Sequence, residues 1–201
     1  MRISDDRYAR DRLRIDVAMR FIRHEARTRT IRQWTGLSDD RIRKLYHSYL
    51  QSGARSTRHR GRSPRQASYF LRSTQIRDEA SALASLCCLV GVFDALPRPA
   101  MSRLVADVDR GACLCRAYEG YRDAVESPVI GFEHAVLLVN ALSRGSELRF
   151  GECRDCGALL VVDTLGLRAA LCALCSSDPP KAARSSKSNT PALMAAQAPT
   201  A

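Results

Sequence analysis

Lysine is scarce in this sequence: of 32 basic residues only Lys44, Lys181 and Lys187 are lysines, and the rest are arginines. Aromatic residues make up 6% of the chain, with a single tryptophan, and there are four histidines. Long apolar runs are missing too. The longest mostly apolar stretch, Leu83 to Phe93, falls far short of the roughly 20 residues that span a bilayer, so no membrane-spanning helix is expected. The opening segment MRISDDRYARDRLRI has no apolar h-region of a secretory signal. The expected setting is therefore the reducing cytoplasm, where eight cysteines do not form a disulfide framework. Paired carboxylates, a nucleophile–base arrangement and a glycine-rich phosphate loop are also lacking. His24, His47, His59 and His134 are scattered, and none is near a cysteine pair. No enzymatic activity is expected.

At 201 residues, 45% hydrophobic and 26% charged, the chain suits one domain, or one plus a small appendage, with a core that needs no covalent staples. Arginine's planar fork suits phosphate recognition, although a codon bias would produce the same excess. The position of the charge says more. Residues 1–77 hold 20 of the 32 Lys+Arg but 7 of the 21 Asp+Glu, a net of +13, whereas the remainder nets −2. That asymmetry predicts a surface for nucleic acid or an acidic membrane at the N-terminal end.

Hydrophobic periodicity predicts a mainly α fold. Ile15, Ala18, Met19, Ile22 and Ala26 mark one face of a helix over 4–27, with Asp16 and Arg20 as an exposed i,i+4 pair. A short helix over 30–35 follows, broken by Gly36. Ser38 is an N-cap for a third helix reaching about Leu50, with Asp39 and Asp40 at its positive end. Residues 52–66 carry arginines, glycine and proline without an apolar face and predict a basic loop. Helical patterns return over 78–96, 100–126 and 129–143, and the tail from 177 onward has a disordered composition. The expected organisation is a helical region with a helix-turn-helix (1–51), the loop (52–66), a helical middle (67–150), a small C-terminal zinc-ribbon-like unit (151–176) and the tail (177–201). Apolar residues around Cys87-Cys88-Leu89-Val90 cover more than one helix face, which predicts a covering partner.

The strongest local signal is Cys153-x-x-Cys156, fifteen intervening residues, then Cys172-x-x-Cys175. Each pair can aim two thiolates at one point, and two pairs complete a sulfur tetrahedron around zinc. Four protein ligands leave no position open for water, so one structural zinc per chain is expected. Gly157 suits a tight knuckle, and Leu159 to Val162 suit a short strand between the pairs. Cys87, Cys88, Cys113 and Cys115 have no ligand spacing and read as core thiols.

The second signal spans Thr30 to Tyr49. Ile31, Leu37, Ile42 and Leu45 stand where a helix-turn-helix packs its two helices, with Gly36 at the turn. Burial of Ile42, Leu45 and Tyr49 would turn Asp40, Arg43, Lys44 and His47 outward. Arginine and lysine on such a face pair with guanine edges or phosphates. Double-stranded DNA is the expected ligand. Arg41, Arg43, Lys44 and His47 on the helix and Arg58, Arg60, Arg62 and Arg65 on the loop are the expected contacts.

Leu37-Ser38-x-x-Arg41-Ile42-x-Lys44-Leu45-Tyr46, followed downstream by the two Cys-x-x-Cys pairs, resembles the flagellar transcriptional activator subunit FlhC family. The segment from Ile130 to Asn140 and the overall length fit the same family, and the resemblance covers roughly residues 13–176. It implies a zinc-binding activator subunit that binds DNA with an FlhD-like partner in a heterohexamer, engages RNA polymerase and works at the nucleoid. Two other readings remain open: a basic zinc-ribbon protein acting on RNA or within the transcription machinery, and a paralogue regulating non-flagellar genes.

Overall fold

The computed structural model describes residues 3–51, 63–93, 106–166 and 170–177. Among them the fold is mainly α. Helices α1 (Ile3–Arg23), α2 (Thr28–Thr35) and α3 (Asp39–Gln51) precede a 3-10 helix (Ala67–Leu71). Helices α4 (Thr74–Leu89), α5 (Val108–Ala124) and α6 (Phe132–Arg144) follow. Strands β1 (Leu148–Glu152) and β2 (Leu159–Asp163) and a short α7 (Ala173–Ser177) complete the order. No described helix is long and apolar enough to cross a membrane. Most of the basic loop expected over 52–66, part of the helical patterns expected over 78–96 and 100–126, and nearly all of the tail lie outside the described residues.

Local chemistry sets the helix ends. Ser73 caps α4 by accepting from the Ile76 N–H at 3.2 Å, and Asp107 caps α5 by accepting from Arg110 at 2.9 Å. Helix α1 stops at Arg23 rather than 27, because Glu25 turns into the left-handed region at φ +59°. Its buried face is also wider than the expected stripe. Val17, Ala18, Phe21 and Ile22 are buried, while Ile15 and Met19 are half-buried. The helix is flanked by α5 as well as by α2 and α3, so two neighbours draw in two adjoining stripes. Arg20 accordingly turns to α5, where its guanidinium meets Glu119 at 2.6 Å instead of forming a bond with Asp16.

Phe21, Trp34, Ile31, Ile42, Phe70, Leu83, Leu114 and Leu138 share one core that extends to Val161. Helix α5 comes close to α1 and α2 at Gly111. A Cβ there would lie 3.1 Å from Val17 Cγ1 and 3.6 Å from Trp34 Cε3. Glycine is unfavourable inside a helix, and here its missing side chain is what admits the neighbours. Helix α4 packs against α5, α6, the 3-10 helix and β2, so its multi-faced apolar surface is largely used within the chain. Cys87 is buried and Cys88 half-buried, as are Cys115 and Cys113 respectively, and all are free thiols. Burial pushes the Cys115 thiol up to about 12, which makes it a poor nucleophile.

Glu79 on α4 is buried, only 6% exposed, yet well supplied with donors. It accepts from the Val129 N–H and from Gln75 Nε2, both at 3.0 Å, and from the Tyr121 hydroxyl. That hydroxyl in turn accepts from the Ile130 N–H at 3.1 Å. One carboxylate thus joins α4 to α5 and to the connection leading into α6. Its replacement leaves the buried Tyr121 hydroxyl without its acceptor. Glu79→Ala is expected to lower unfolding free energy by about 2–4 kcal/mol in urea titration. Gly111→Leu is expected to cost about 1–3 kcal/mol by overpacking in the same measurement; unchanged midpoints for both would contradict this account of the core.

Candidate metal centre and helix-turn-helix face

The four expected cysteines converge. The Sγ atoms of Cys153, Cys156, Cys172 and Cys175 all lie within 4.8 Å of one another, with Cys156 and Cys172 at 3.6 Å. Four sulfurs held tetrahedrally at about 2.3 Å from one ion stand about 3.8 Å apart, so the cluster could hold a metal ion.

The first pair sits in the turn of the β1–β2 hairpin, whose antiparallel register places Glu152 opposite Leu159. Cys153 donates its N–H to the Ala158 carbonyl at 2.8 Å. Gly157, at φ +74°, returns an N–H to Cys153 O at 2.9 Å. A side chain at this left-handed position would be strained, so glycine closes the knuckle. The second pair flanks the start of α7. The Arg154 N–H bonds to Ala170 O at 3.1 Å and joins the two halves. Backbone donors are aimed at sulfur as well: Cys172 N–H at Cys153 Sγ and Cys175 N–H at Cys172 Sγ, both at 3.4 Å. The N–H groups of Cys172 and Cys156 hold the Cys153 thiol down to about 6. The sulfurs of Cys172 and Cys156 hold Cys175 well above the usual thiol range. Four thiolates this close repel one another unless a cation sits among them.

The strand expected over Leu159–Val162 forms as β2, and its alternation serves two cores. Val161 enters the main helical core together with Leu148 of β1. Leu160 packs with Cys153 and Cys172, with Val162 beside them, in a second small core. The Val161 N–H donates to the Ser81 hydroxyl on α4 at 2.9 Å. The cysteine unit is therefore anchored to the helical body through its own hairpin.

Helices α2 and α3 form the expected helix-turn-helix. Gly36 ends α2 in the left-handed conformation, φ +70°, with its N–H on Arg32 O at 2.9 Å. Leu37 is buried beyond it, and Ser38 Oγ accepts from the Arg41 N–H at 3.4 Å. Ile31, Trp34 and Ile42 are fully buried. The inward face of α3 departs from the expectation. Ile42 and Tyr46 are its buried residues, while Leu45 and Tyr49 are only half-buried. The reason is polar as well as apolar, since the Tyr46 hydroxyl donates to Ala26 O at 2.5 Å.

Arg41, Arg43, Lys44 and His47 are all exposed on α3, yet the two arginines have carboxylate partners. Arg41 pairs with Asp11 of α1 at 2.8 Å, and this hydrogen bond holds the Asp11 carboxyl below its usual range. Arg43 pairs with Asp40 at 2.9 Å, and Arg32 with Asp39 at 3.3 Å. All three pairs are solvent-exposed, so they are weak and salt-sensitive. Arg58, Arg60 and Arg62 lie outside the described residues. Arg65 is exposed and lines a cleft between α2 and α6 to which none of the four α3 residues contributes. Asp11 was not a sequence candidate, because nothing in the chain pattern links position 11 to position 41.

His24 and His134 take packing roles. His24 stacks on Phe132, meets Tyr118 edge-on and holds Glu119 Oε1 at 2.9 Å, and burial lowers its pKa. His134 stacks on Tyr69 with ring centroids 4.2 Å apart.

Tyr46→Phe removes one buried hydrogen bond and leaves the Ala26 carbonyl short of a donor. A loss of about 1–2 kcal/mol in unfolding free energy is expected. Hydrogen exchange should quicken most in α3, and a variant as stable as the parent would show that the bond does not hold α3 in place. Comparison with protein-family models and with curated proteins finds no match for this chain.

Proposed function

We propose that the chain is a DNA-binding subunit of a transcriptional activator with one structural zinc held by Cys153, Cys156, Cys172 and Cys175. The observation that carries the DNA reading is the turn at Gly36. It sets α3 against α2 with Ile42 and Tyr46 inward and Arg43, Lys44 and His47 outward. A helix presented in this way fits the major groove. The charge split supports the same reading, since the +13 of residues 1–77 lies in the part of the chain that contains this helix. Thiolate-only ligation and sulfur spacing favour zinc over hard cations, which prefer oxygen. With all ligands from the protein, the ion stabilises the hairpin and α7 rather than activating water. The FlhC resemblance extends the proposal to flagellar operons, to an FlhD-like partner in a heterohexamer, to contact with RNA polymerase and to a nucleoid location in the cytoplasm. Of the large apolar residues on α4, Leu89 alone is largely exposed, at 81%, so the partner rests on the resemblance rather than on an uncovered helix face.

Elemental analysis of protein purified without chelators is expected to give one zinc per chain. Cys172→Ser should lose the metal and lower the melting temperature, because metal binding in such units is coupled to folding. Intact, equally stable protein with no metal would refute the zinc site. DNA binding is tested by selection from a random duplex library with the partner present, followed by anisotropy on the enriched site. Arg43→Ala is expected to weaken specific binding by about 1–3 kcal/mol, the value of a good bidentate base contact. Non-specific binding should change little. Preference for single-stranded RNA over any duplex would overturn this reading in favour of an RNA-binding zinc ribbon.

A further inference from the structure

A cleft of about 710 Å³ opens between the start of α2, helix α6 and residues 63–65. Its size falls within the range of small-ligand sites, about 300–1,000 Å³. Three separate segments contribute an exposed arginine to its lining: Arg29 from α2, Arg65 from the segment before the 3-10 helix, and Arg144 from the last turn of α6. All three are exposed, and among the described residues none of them has an ion-pair or hydrogen-bond partner. This differs from α3, where Arg41 and Arg43 are matched to carboxylates.

Among the described residues, the single acid on the wall is already occupied. Glu133, with its side chain 10% exposed, accepts from the Arg27 backbone N–H at 2.9 Å and lies 3.8 Å from Arg27 Nε. It neutralises Arg27 and satisfies the α2 end, which leaves the three outer arginines uncompensated. Cations gathered on a concave wall focus positive potential and attract an anion.

We propose that this cleft binds a phosphoryl anion through Arg29, Arg65 and Arg144. The guanidinium fork matches phosphoryl oxygens in pairs. A dianionic group with three terminal oxygens compensates three cations better than a monocarboxylate does. Asn140 supplies a neutral donor on the same wall, and Ala26, Val136 and Leu137 give it an apolar floor. Arg65 is also one of the expected DNA contacts, but no outward residue of α3 lines the cleft, so the site is separate from the proposed recognition helix. The phosphoryl group comes from one of two sources, a small phosphorylated metabolite or the backbone of a nucleic acid. An occupied cleft bridges α2 to α6, so either source would bear on the helix-turn-helix.

The test uses the full metal-loaded chain in low salt, with calorimetric titration of pyrophosphate, of acetate and of a mixed-sequence DNA duplex. Pyrophosphate is expected to saturate one site with Kd below about 1 mM, and acetate is expected not to bind. Arg29→Gln combined with Arg144→Gln changes two exposed side chains, so circular dichroism and melting should stay as in the parent. This double variant should weaken pyrophosphate by at least about tenfold, whereas Arg122→Gln, exposed on α5 outside the cleft, should stay within about twofold. If pyrophosphate fails to bind but duplex affinity falls about tenfold in the double variant alone, the phosphoryl group is that of the DNA backbone and the site stands. If pyrophosphate binds the parent and the double variant equally, or if neither pyrophosphate nor duplex responds to the substitutions, the proposal is overturned. Loss of duplex binding by every version, with pyrophosphate binding intact, would remove the DNA reading and leave this site in place.

Discussion

Strand β2 faces two cores at once, and its period-2 alternation is the constraint that joins the cysteine cluster to the helices. Val161 lies in the main core, while Leu160 and Val162 lie on the side of Cys153 and Cys172. A slip of one residue in the hairpin would exchange these faces completely. The register is held by the turn that contains Cys153 and Cys156, where Cys153 bonds to Ala158 and Gly157 bonds back to Cys153. The geometry the sulfurs require is therefore the geometry that places Val161 against Ser81 of α4. Helix α4 passes the constraint on, since Glu79, two residues before Ser81, ties α5 and the approach to α6. Any ion that stabilises the turn stabilises the attachment of β2 to the helical body as well.

The helix-turn-helix is likewise not a detachable module. Ile31, Trp34 and Ile42 belong to the same core as Leu114 and Leu138. Gly111 lets α5 approach Trp34 closely enough that an added methyl group would touch it. Tyr46 fastens α3 to the carbonyl of Ala26, in the short link between α1 and α2. A side chain that reads a base must be held more rigidly than a loop allows, and α3, resting on the whole body, would meet that requirement if it binds DNA as proposed.

Features encoded by near neighbours were legible in the sequence. The paired cysteine spacing, the strand between the pairs, the break at Gly36 and the cap at Ser38 each depend on residues a few positions apart. All of them appear where the pattern placed them. Features encoded by distant partners were not legible. Nothing in the local pattern marks Glu79, because its partners Tyr121 and Val129 lie 42 and 50 positions away. Tyr46 outranks Leu45 and Tyr49 on the buried side of α3 because a carbonyl 20 positions earlier accepts its hydroxyl. The apolar surplus of α4 pointed to a missing partner, but periodicity counts faces and cannot say whether this chain or another one covers them. Here α5, α6, β2 and the 3-10 helix pack against much of that surface, while Leu89 stays 81% exposed.

The charge split shows the same limit in electrostatic form. A net of +13 over residues 1–77 describes a field, and a field steers anions without saying which cation is free to hold one. The structure separates two kinds of arginine within that half of the chain. Arg32, Arg41 and Arg43 each carry a carboxylate beside them, so a phosphate arriving there must displace an existing partner. Exposed pairs of this kind exchange easily, yet each one lowers the gain from every duplex by a similar amount. Contacts to the correct base edges are the interactions that differ between sequences. For a DNA-binding α3, the aspartates at positions 11, 39 and 40 would thus lower affinity for every duplex alike, and the ratio between sequences would stay with the base-edge contacts.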